Sequence, residues 1–561
     1  TAPVAAPTDE SVAAADNKTP KFPPINNRNM WERHCEADTK EGVAGVVVGT
    51  IPAWLEGRLI RNGPGIRFIG QDRYNHLFDG LSILHMVNIE NGTASYTSRF
   101  LESDAYTINH RANRIVVSEF GTAGIPDPCI SLYDKFKTWI MPPISRKNTD
   151  NCVVNVLQVK DELLAMTETN AIRIVDPATL ETNPLKLHIN HFVAIHRATA
   201  HPHVEEDSTV YNLGFIKGKG PLNYVIVALK DGKVQNAEIQ ATVPARWKFN
   251  PGYLHSFGLT EHYFILIEGS LAFDIKSMML PTIFGGTAAR AMRFHPKETN
   301  KFRLISRKTG EELQTNYISA SFFNFHYINC FETEGHVVVD VCETSENVMD
   351  YLYMDNIEKS ADDPSKNTLN VLAKRYVLPV DDIEKAATSE ELLKNVDCAK
   401  ISREDFLASA SAEKLPNGDV FLKGVTMTEN FLELPRINYK YNKKPYKYAY
   451  GVNIEDYKKE FLNFDGLIKL NVCTGEHKIW QDKDYLCSEP VFVATPDALD
   501  EDDGVLITII INKNEPKKLS LLVIDAVNMT ETARVNFVAN GVITPTFHGQ
   551  FIAAGQKTHG Y

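Results

Sequence analysis

From about residue 57 onward the chain is a succession of short runs rich in Val, Ile, Leu, Tyr and Phe, each a few residues long and each broken by a turn signal. Asn91-Gly92, Asp231-Gly232, Asn417-Gly418 and Asp503-Gly504 place Gly second, as two-residue hairpin turns favour because their central residues take positive φ. Thr309-Gly310, Glu334-Gly335 and Thr474-Gly475 are looser signals of the same kind. The runs His336 to Val341 and Val505 to Ile511 are nearly continuous in apolar residues, the pattern of strands buried on both faces. Hairpins stacked one after another are the predicted organisation. No linker rich in Pro, Gly or Ser interrupts them, so residues 25–561 read as one continuous all-β domain, most naturally a propeller.

Three stretches depart from that pattern. Residues 128–140 read as a helix, 271–294 as an apolar stretch, and 380–408 as a charged surface helical insertion, with Asp381, Asp382, Glu384, Lys385, Glu390, Glu391 and Lys394 around a thin apolar stripe. Residues 1–24, rich in Ala, Pro, Ser, Thr and Asp, read as a disordered tail without the basic start and apolar middle of a signal peptide.

Composition narrows the function classes. A formal net charge of -12 repels polyanions and argues against nucleic acid as a partner. Eight cysteines without a CxxC pair suit a reducing, cytoplasmic setting. No apolar run approaches the roughly 20 residues that a spanning helix needs. There is no GxSxG elbow, no GxxxxGK[ST] phosphate loop, and no GxGxxG between a strand and a helix.

The candidate chemistry lies in the histidines. Of seventeen, most belong on the surface or in hydrogen-bonded core positions, and neither HExxH nor a paired Cys-His arrangement singles any out. His201 and His203 form only a weak HxH. Four, however, sit in strongly patterned segments: ATAHPHVEEDSTVYNLG, GYLHSFGLTEHYFILIE, FNFHYINCFETEGHVVVDV and TPTFHGQF. With RNGPGIRFIG, YNHLFDG, EFGTAGIPDPC, AMTETNAI, LELPRINY, KYAYGVN and SEPVFVATPDALDEDDGV, these segments resemble the carotenoid cleavage oxygenase family over nearly the whole chain after residue 25.

The resemblance implies a seven-bladed β-propeller with a cap of loops and short helices over an axial iron site. It implies one Fe(II) per chain, held by His201, His255, His326 and His548, with Glu168, Glu433 and Glu489 orienting three of the four imidazoles. His203 is then a neighbour, and Thr167 matches a threonine whose methyl group crowds an open coordination position. The ligand spacings of 54, 71 and 222 residues make sense if inner strands of different blades point at one axis. Four neutral imidazoles favour a late first-row ion; the residues alone leave zinc and iron open, and the resemblance selects iron.

Family members mostly split a conjugated double bond of a carotenoid with O2. PDPC, DNCVVNV and FHGQF resemble the animal branch, and the leading expectation is central 15,15′ cleavage to retinal, with or without trans-to-cis isomerisation. The alternatives are eccentric 9′,10′ cleavage, a retinoid isomerohydrolase that uses no O2, and a non-catalytic carotenoid-binding propeller. So apolar a substrate resides in membranes, and the resemblance implies peripheral docking through Leu132, Phe136 and Trp139 on one helical face and through Met279, Leu280, Ile283 and Phe284. Periodicity alone fits core packing equally well. Cys129 matches a cysteine that can be lipidated, although a lone cysteine is more often a small buried residue.

Overall fold

The structure is a computed structural model and describes residues 30–125, 131, 149–217, 221–279, 287–362, 369–381, 383–394, 396–404 and 406–555. Seven main sheets follow one another along the chain as the blades of a propeller. Blade one contains Gly57–Ile66, Leu81–Glu90 and Thr93–Phe100, and blade two the meander from Asn155–Val159 to Thr182–His188. Blade three runs from Arg197–Ala198 and His203–Val204 to Ala237–Pro244, and blade four from Gly258–Leu259 to Tyr317–Ser319. Blade five comprises Tyr327–Thr333, His336–Glu343, Leu372–Pro379 and Val425–Phe431; blade six runs from Glu433–Arg436 to His477–Gln481. Blade seven spans Tyr485–Cys487 to Thr530–Val538.

Both ends of the chain close the ring. Gly549–Ala553 pairs with Gly57–Ile66 in blade one, from Gly57 opposite Ala553 to Arg61 opposite Gly549. Val46–Gly49 adds to the outer strand Thr530–Val538 of blade seven. Such closure removes the inner sheet edges and fixes every blade relative to the axis.

Local chemistry explains much of the repeat. Asn91 and Gly92 both have positive φ (50° and 68°) and turn Leu81–Glu90 directly into Thr93–Phe100. Glu334 and Gly335 do the same (48° and 75°) between the first two strands of blade five, a tighter turn than its sequence suggests. Asp503-Gly504 is not a hairpin tip, because Gly504 already belongs to Gly504–Asn512 and pairs with Ala494. The two continuous apolar runs form His336–Glu343 and Gly504–Asn512, and both are buried almost end to end.

The helical reading of 380–408 is corrected. The segment carries the short turns Ile383–Lys385 and Asp397–Ala399 and a hairpin of Lys400–Arg403 with Phe406–Ser409. Its thin apolar stripe, Ile383, Leu393 and Ile401, is buried against the core, and tertiary packing overrides the helical charge pattern. In 271–294, Leu271–Phe273 pairs with Met292–Phe294 and the short helix Ile275–Met279 follows the first strand. Blade four is extended by a parallel pairing of Tyr317–Ser319 with Val420–Lys423, a contact over about a hundred residues that no local pattern announces.

The helix expected over 128–140, with Leu132, Phe136 and Trp139, lies outside the described residues, as do Cys129, Leu280, Ile283, Phe284 and the tail 1–24. Among the described residues no helix is long and apolar enough to cross a membrane. The seven described cysteines are all free thiols.

Candidate metal centre

All seven blades contribute one residue to a single cluster on the axis. His201 stands between the two short inner strands of blade three, and His255 precedes the inner strand of blade four. His326 directly precedes Tyr327–Thr333 in blade five, and His548 directly precedes the closing strand Gly549–Ala553 of blade one. Glu168 lies in the loop between Glu162–Met166 and Ala171–Val175 of blade two, Glu433 opens the inner strand of blade six, and Glu489 precedes Val491–Ala494 of blade seven.

The four imidazoles bring one nitrogen each to within 4.8 Å of the others, and Nε2 of His201 stands 2.8 Å from Nε2 of His255. Two nitrogens bound to one ion at about 2.1 Å and at right angles stand about 3 Å apart, so this spacing suits a shared ion. Nε2 of His326 is buried without a hydrogen-bond partner among the described residues, an orphan that a metal ion would satisfy. Burial pushes His201 well below the usual imidazole range, lowers His255, and brings His548 to about 4, so these rings are neutral at pH 7 and offer lone pairs.

Each acidic residue holds a different histidine. Nδ1 of His255 donates to Glu168 Oε1 at 2.5 Å, Nδ1 of His326 to Glu433 Oε2 at 2.6 Å, and Nδ1 of His548 to Glu489 Oε1 at 2.9 Å. Those bonds put the proton on Nδ1 and leave Nε2 for a metal. His201 has no carboxylate partner among the described residues, so the three-for-four arrangement read from the sequence has His201 as its odd member. His203 is turned away, its Nε2 bonded to the Phe257 carbonyl at 3.0 Å.

Three further residues complete the cluster. Glu489 accepts from Arg61 Nη1 at 3.0 Å and Arg436 Nη2 at 2.9 Å, and these guanidinia hold its buried carboxyl well below the usual carboxylate range. Tyr253 donates to Glu168 at 2.6 Å. Arg61 and Arg436 lie inside RNGPGIRFIG and LELPRINY, and the signal for them is the need of a buried Glu for cations.

On one side His255, His326 and His548 open into a cavity of about 240 Å³. Phe78, Phe325, Phe547, Trp31, Phe431 and Phe464 give it an aromatic wall, and Thr167 lines it beside Glu168. Val348 and Leu352, from the short helix Val348–Tyr351 and its end, also border it. A cluster of imidazoles facing an aromatic-walled, mainly apolar cavity can bind a metal and present it to an apolar ligand.

The chain matches the family model described as retinal pigment epithelial membrane protein (RPE65) over residues 33–553. It is 36% identical over 526 residues to the mouse β,β-carotene 15,15′-dioxygenase, covering 91% of this chain and 89% of that one. It is 35% identical to the chicken protein of the same name, covering 94% and 98%. It is 31% identical to the carotenoid isomerooxygenase of Drosophila melanogaster, covering 94% and 93%. Among solved structures, a mutant of the Synechocystis apocarotenoid oxygenase superposes with a TM-score of 0.71 at 18% identity, covering 94% of this chain and 98% of that one, which supports the fold. A cobalt-substituted form of that oxygenase gives the same TM-score. With a family match across almost the whole chain and relatives above 30% identity over more than nine-tenths of it, the protein belongs to the RPE65/carotenoid oxygenase family.

Proposed function

We propose that this chain binds one iron(II) ion through His201, His255, His326 and His548 and uses O2 to split the central 15,15′ double bond of a carotenoid, giving retinal. The observation that carries the reading is the four-imidazole, three-carboxylate cluster opening onto an apolar, aromatic-walled cavity. The relatives named as 15,15′-dioxygenases support the choice of bond.

Iron(II) supplies chemistry that side chains lack, the binding and reduction of triplet O2 that lets it react with a polyene. The protein's own part is positioning and exclusion. Glu168, Glu433 and Glu489 fix the tautomer and the ring plane of three imidazoles. Phe78, Phe325 and Phe547, whose rings meet edge to face at 5.8 and 5.7 Å around Phe78, wall the polyene and keep water out. Thr167 presents its side chain to the cavity next to Glu168 and limits what can stand beside the metal. No proton transfer is needed, since the two oxygen atoms replace one C=C bond with two C=O bonds. The carotenoid reaches the cavity from a lipid surface, with Leu132, Phe136, Trp139, Met279, Leu280, Ile283 and Phe284 as the docking residues.

Incubating the iron-loaded chain with β-carotene under air and under argon tests the reading. Retinal is expected only under air; equal yields in both would overturn O2-dependent cleavage and favour an isomerohydrolase. Products of other chain lengths would overturn the central position. A second reading, cleavage coupled to trans-to-cis isomerisation, is favoured by the similarity to the fly isomerooxygenase, and the isomer composition of the retinal decides it.

A further inference from the structure

The imidazole cluster separates two cavities. His255, His326 and His548 border the aromatic one, whereas His201, His326 and His548 border a rear cavity of about 120 Å³, and the two have no other lining residue in common. In the aromatic cavity the rings of Phe78 and Phe325 stand 6.5 and 5.0 Å from that of His255. A hydrated dication arriving there would give up its water to phenyl rings, which is costly. The rear cavity offers oxygen and nitrogen instead, from Ser256, Tyr439, Asn442 and Glu489. His201 stands there too. Among the described residues no carboxylate fixes its ring, so it is the ligand most able to turn toward an incoming ion.

A strap closes this rear cavity. Residues 437–444, between the first two strands of blade six, place Tyr439 and Asn442 in its wall and leave Lys440 and Lys444 exposed to solvent. Tyr439 Oη ties the strap to blade three, accepting from the Val204 amide and donating to the Val204 carbonyl, both at 3.2 Å. Asn329 of blade five donates to the carbonyls of Tyr441 and Lys444 at 3.0 and 3.1 Å. Lys443 Nζ reaches back to Glu205, next to the inner strand His203–Val204, at 2.6 Å. The Lys443 backbone has a φ of 67°, a left-handed conformation that a lysine holds only under restraint. Glu205 is held firmly: Arg307 donates to it at 2.7 Å, and the same guanidinium donates to the Thr260 carbonyl at 2.7 Å. The ion pair thus joins a rigid half on blades three and four to a strained half on the strap.

We propose that the rear cavity is the path by which the metal ion enters and leaves the four-histidine cluster, with residues 437–444 as its gate and the Lys443–Glu205 ion pair as the latch. The inference rests on the iron-binding reading above and adds to it the route and the residues that control it. A latch of this kind governs rates. The closed cluster is the same with or without it, so releasing the latch lowers the barrier to entry and to exit alike.

The test follows iron(II) under argon: its release from the loaded full chain to an excess of a colour-forming chelator, and its uptake by the metal-stripped full chain. Lys443→Met, which keeps the apolar stem, should speed both about 10- to 100-fold, the range of one hydrogen bond to a charged group, and leave the Kd for iron(II) unchanged. Tyr439→Phe frees the strap from Val204, should also speed both, and serves if Lys443→Met does not fold. Leu352→Ala, which widens the aromatic cavity, should leave both rates as they are. Strap variants that exchange iron no faster than the unmodified chain, that speed release without speeding uptake, or that Leu352→Ala matches, overturn the rear path while the iron site stands. A stripped chain that takes up no iron(II) overturns the iron-binding reading, and this inference with it.

Discussion

Replacing Glu489 by Gln separates two jobs that this carboxylate performs. It orients His548, and it is the shared counterion of Arg61 and Arg436, with its side chain 3% exposed and that of Arg61 fully buried. An amide can still accept from His548, but it takes away the anion that two buried cations share. Removing one partner of a buried ion pair costs about 3 to 5 kcal/mol. If the 561 residues melt as one unit, with about 2.1 cal/mol/K of unfolding entropy per residue, that loss lowers the melting temperature by about 3 to 4 °C. The expected loss of iron affinity is about 10- to 100-fold. Glu433→Gln is the matched control: it also orients an imidazole, His326, but makes no ion pair with Lys or Arg among the described residues, and its Oε1 is unpaired. It should lose iron affinity to a similar degree, yet cost about 1 kcal/mol, or about 1 °C, in the metal-free protein. Chelator competition measures the affinity and a thermal melt of the metal-stripped chain measures the stability. Equal melting shifts for the two variants would refute the counterion role of Glu489, and an unchanged affinity in Glu489→Gln would refute its role in orienting His548.

Other perturbations address neighbouring links. His255→Ala should abolish iron retention, measured as metal per chain after desalting, and an iron-loaded, active variant would remove His255 from the ligand set. Gly549→Ala would bring a Cβ to 2.3 Å from the Ile60 carbonyl; it should lower both the melting temperature and the iron content, because that backbone carries His548 and the closing strand. Asp79 is raised to about 6 by burial, so the native state holds its proton while the unfolded chain has released it. Its contribution to stability should therefore fall as pH rises from about 4 to about 6, and urea melts of Asp79→Asn across that range should lose this slope, once the variant's own offset is subtracted.

The ring of blades and the four histidines were legible because each is written locally. Turn residues with positive φ mark hairpins, and each histidine lies in its own extended motif. Which glutamate serves which histidine was not legible, since Glu168 reaches past His201 to His255, a pairing set by blade geometry. Arg61 and Arg436 were not legible, because an arginine in a strand ordinarily reads as a surface residue. The 380–408 segment misled for the opposite reason: a charged stretch with few apolar residues has the same pattern whether it forms an exposed helix or turns and a hairpin pinned by Ile383, Leu393 and Ile401.

The metal cluster and the closure of the propeller are one piece of structure. Arg61, on the first inner strand, bonds the Phe547 carbonyl at 2.9 Å and Glu489 at 3.0 Å, while the amide of Gly549 donates to that same carboxylate at 3.2 Å. Arg436 ties blade six to the same two points, through Glu489 and the Gly549 carbonyl at 2.7 Å. Blades six, seven and one thus meet at a single carboxylate, and the histidine between them, His548, is held by it. An open ring would leave Glu489 with its arginines dispersed and His548 free to turn. The closed ring therefore presents a preformed cluster, in which little ordering would remain for an ion that binds there. The same linkage runs backwards: an ion that binds only the closed form would stabilise the closure by an amount that grows with the logarithm of its affinity, and chelation should loosen the Gly549–Ala553 strand before the outer strands of the blades, as read by hydrogen exchange.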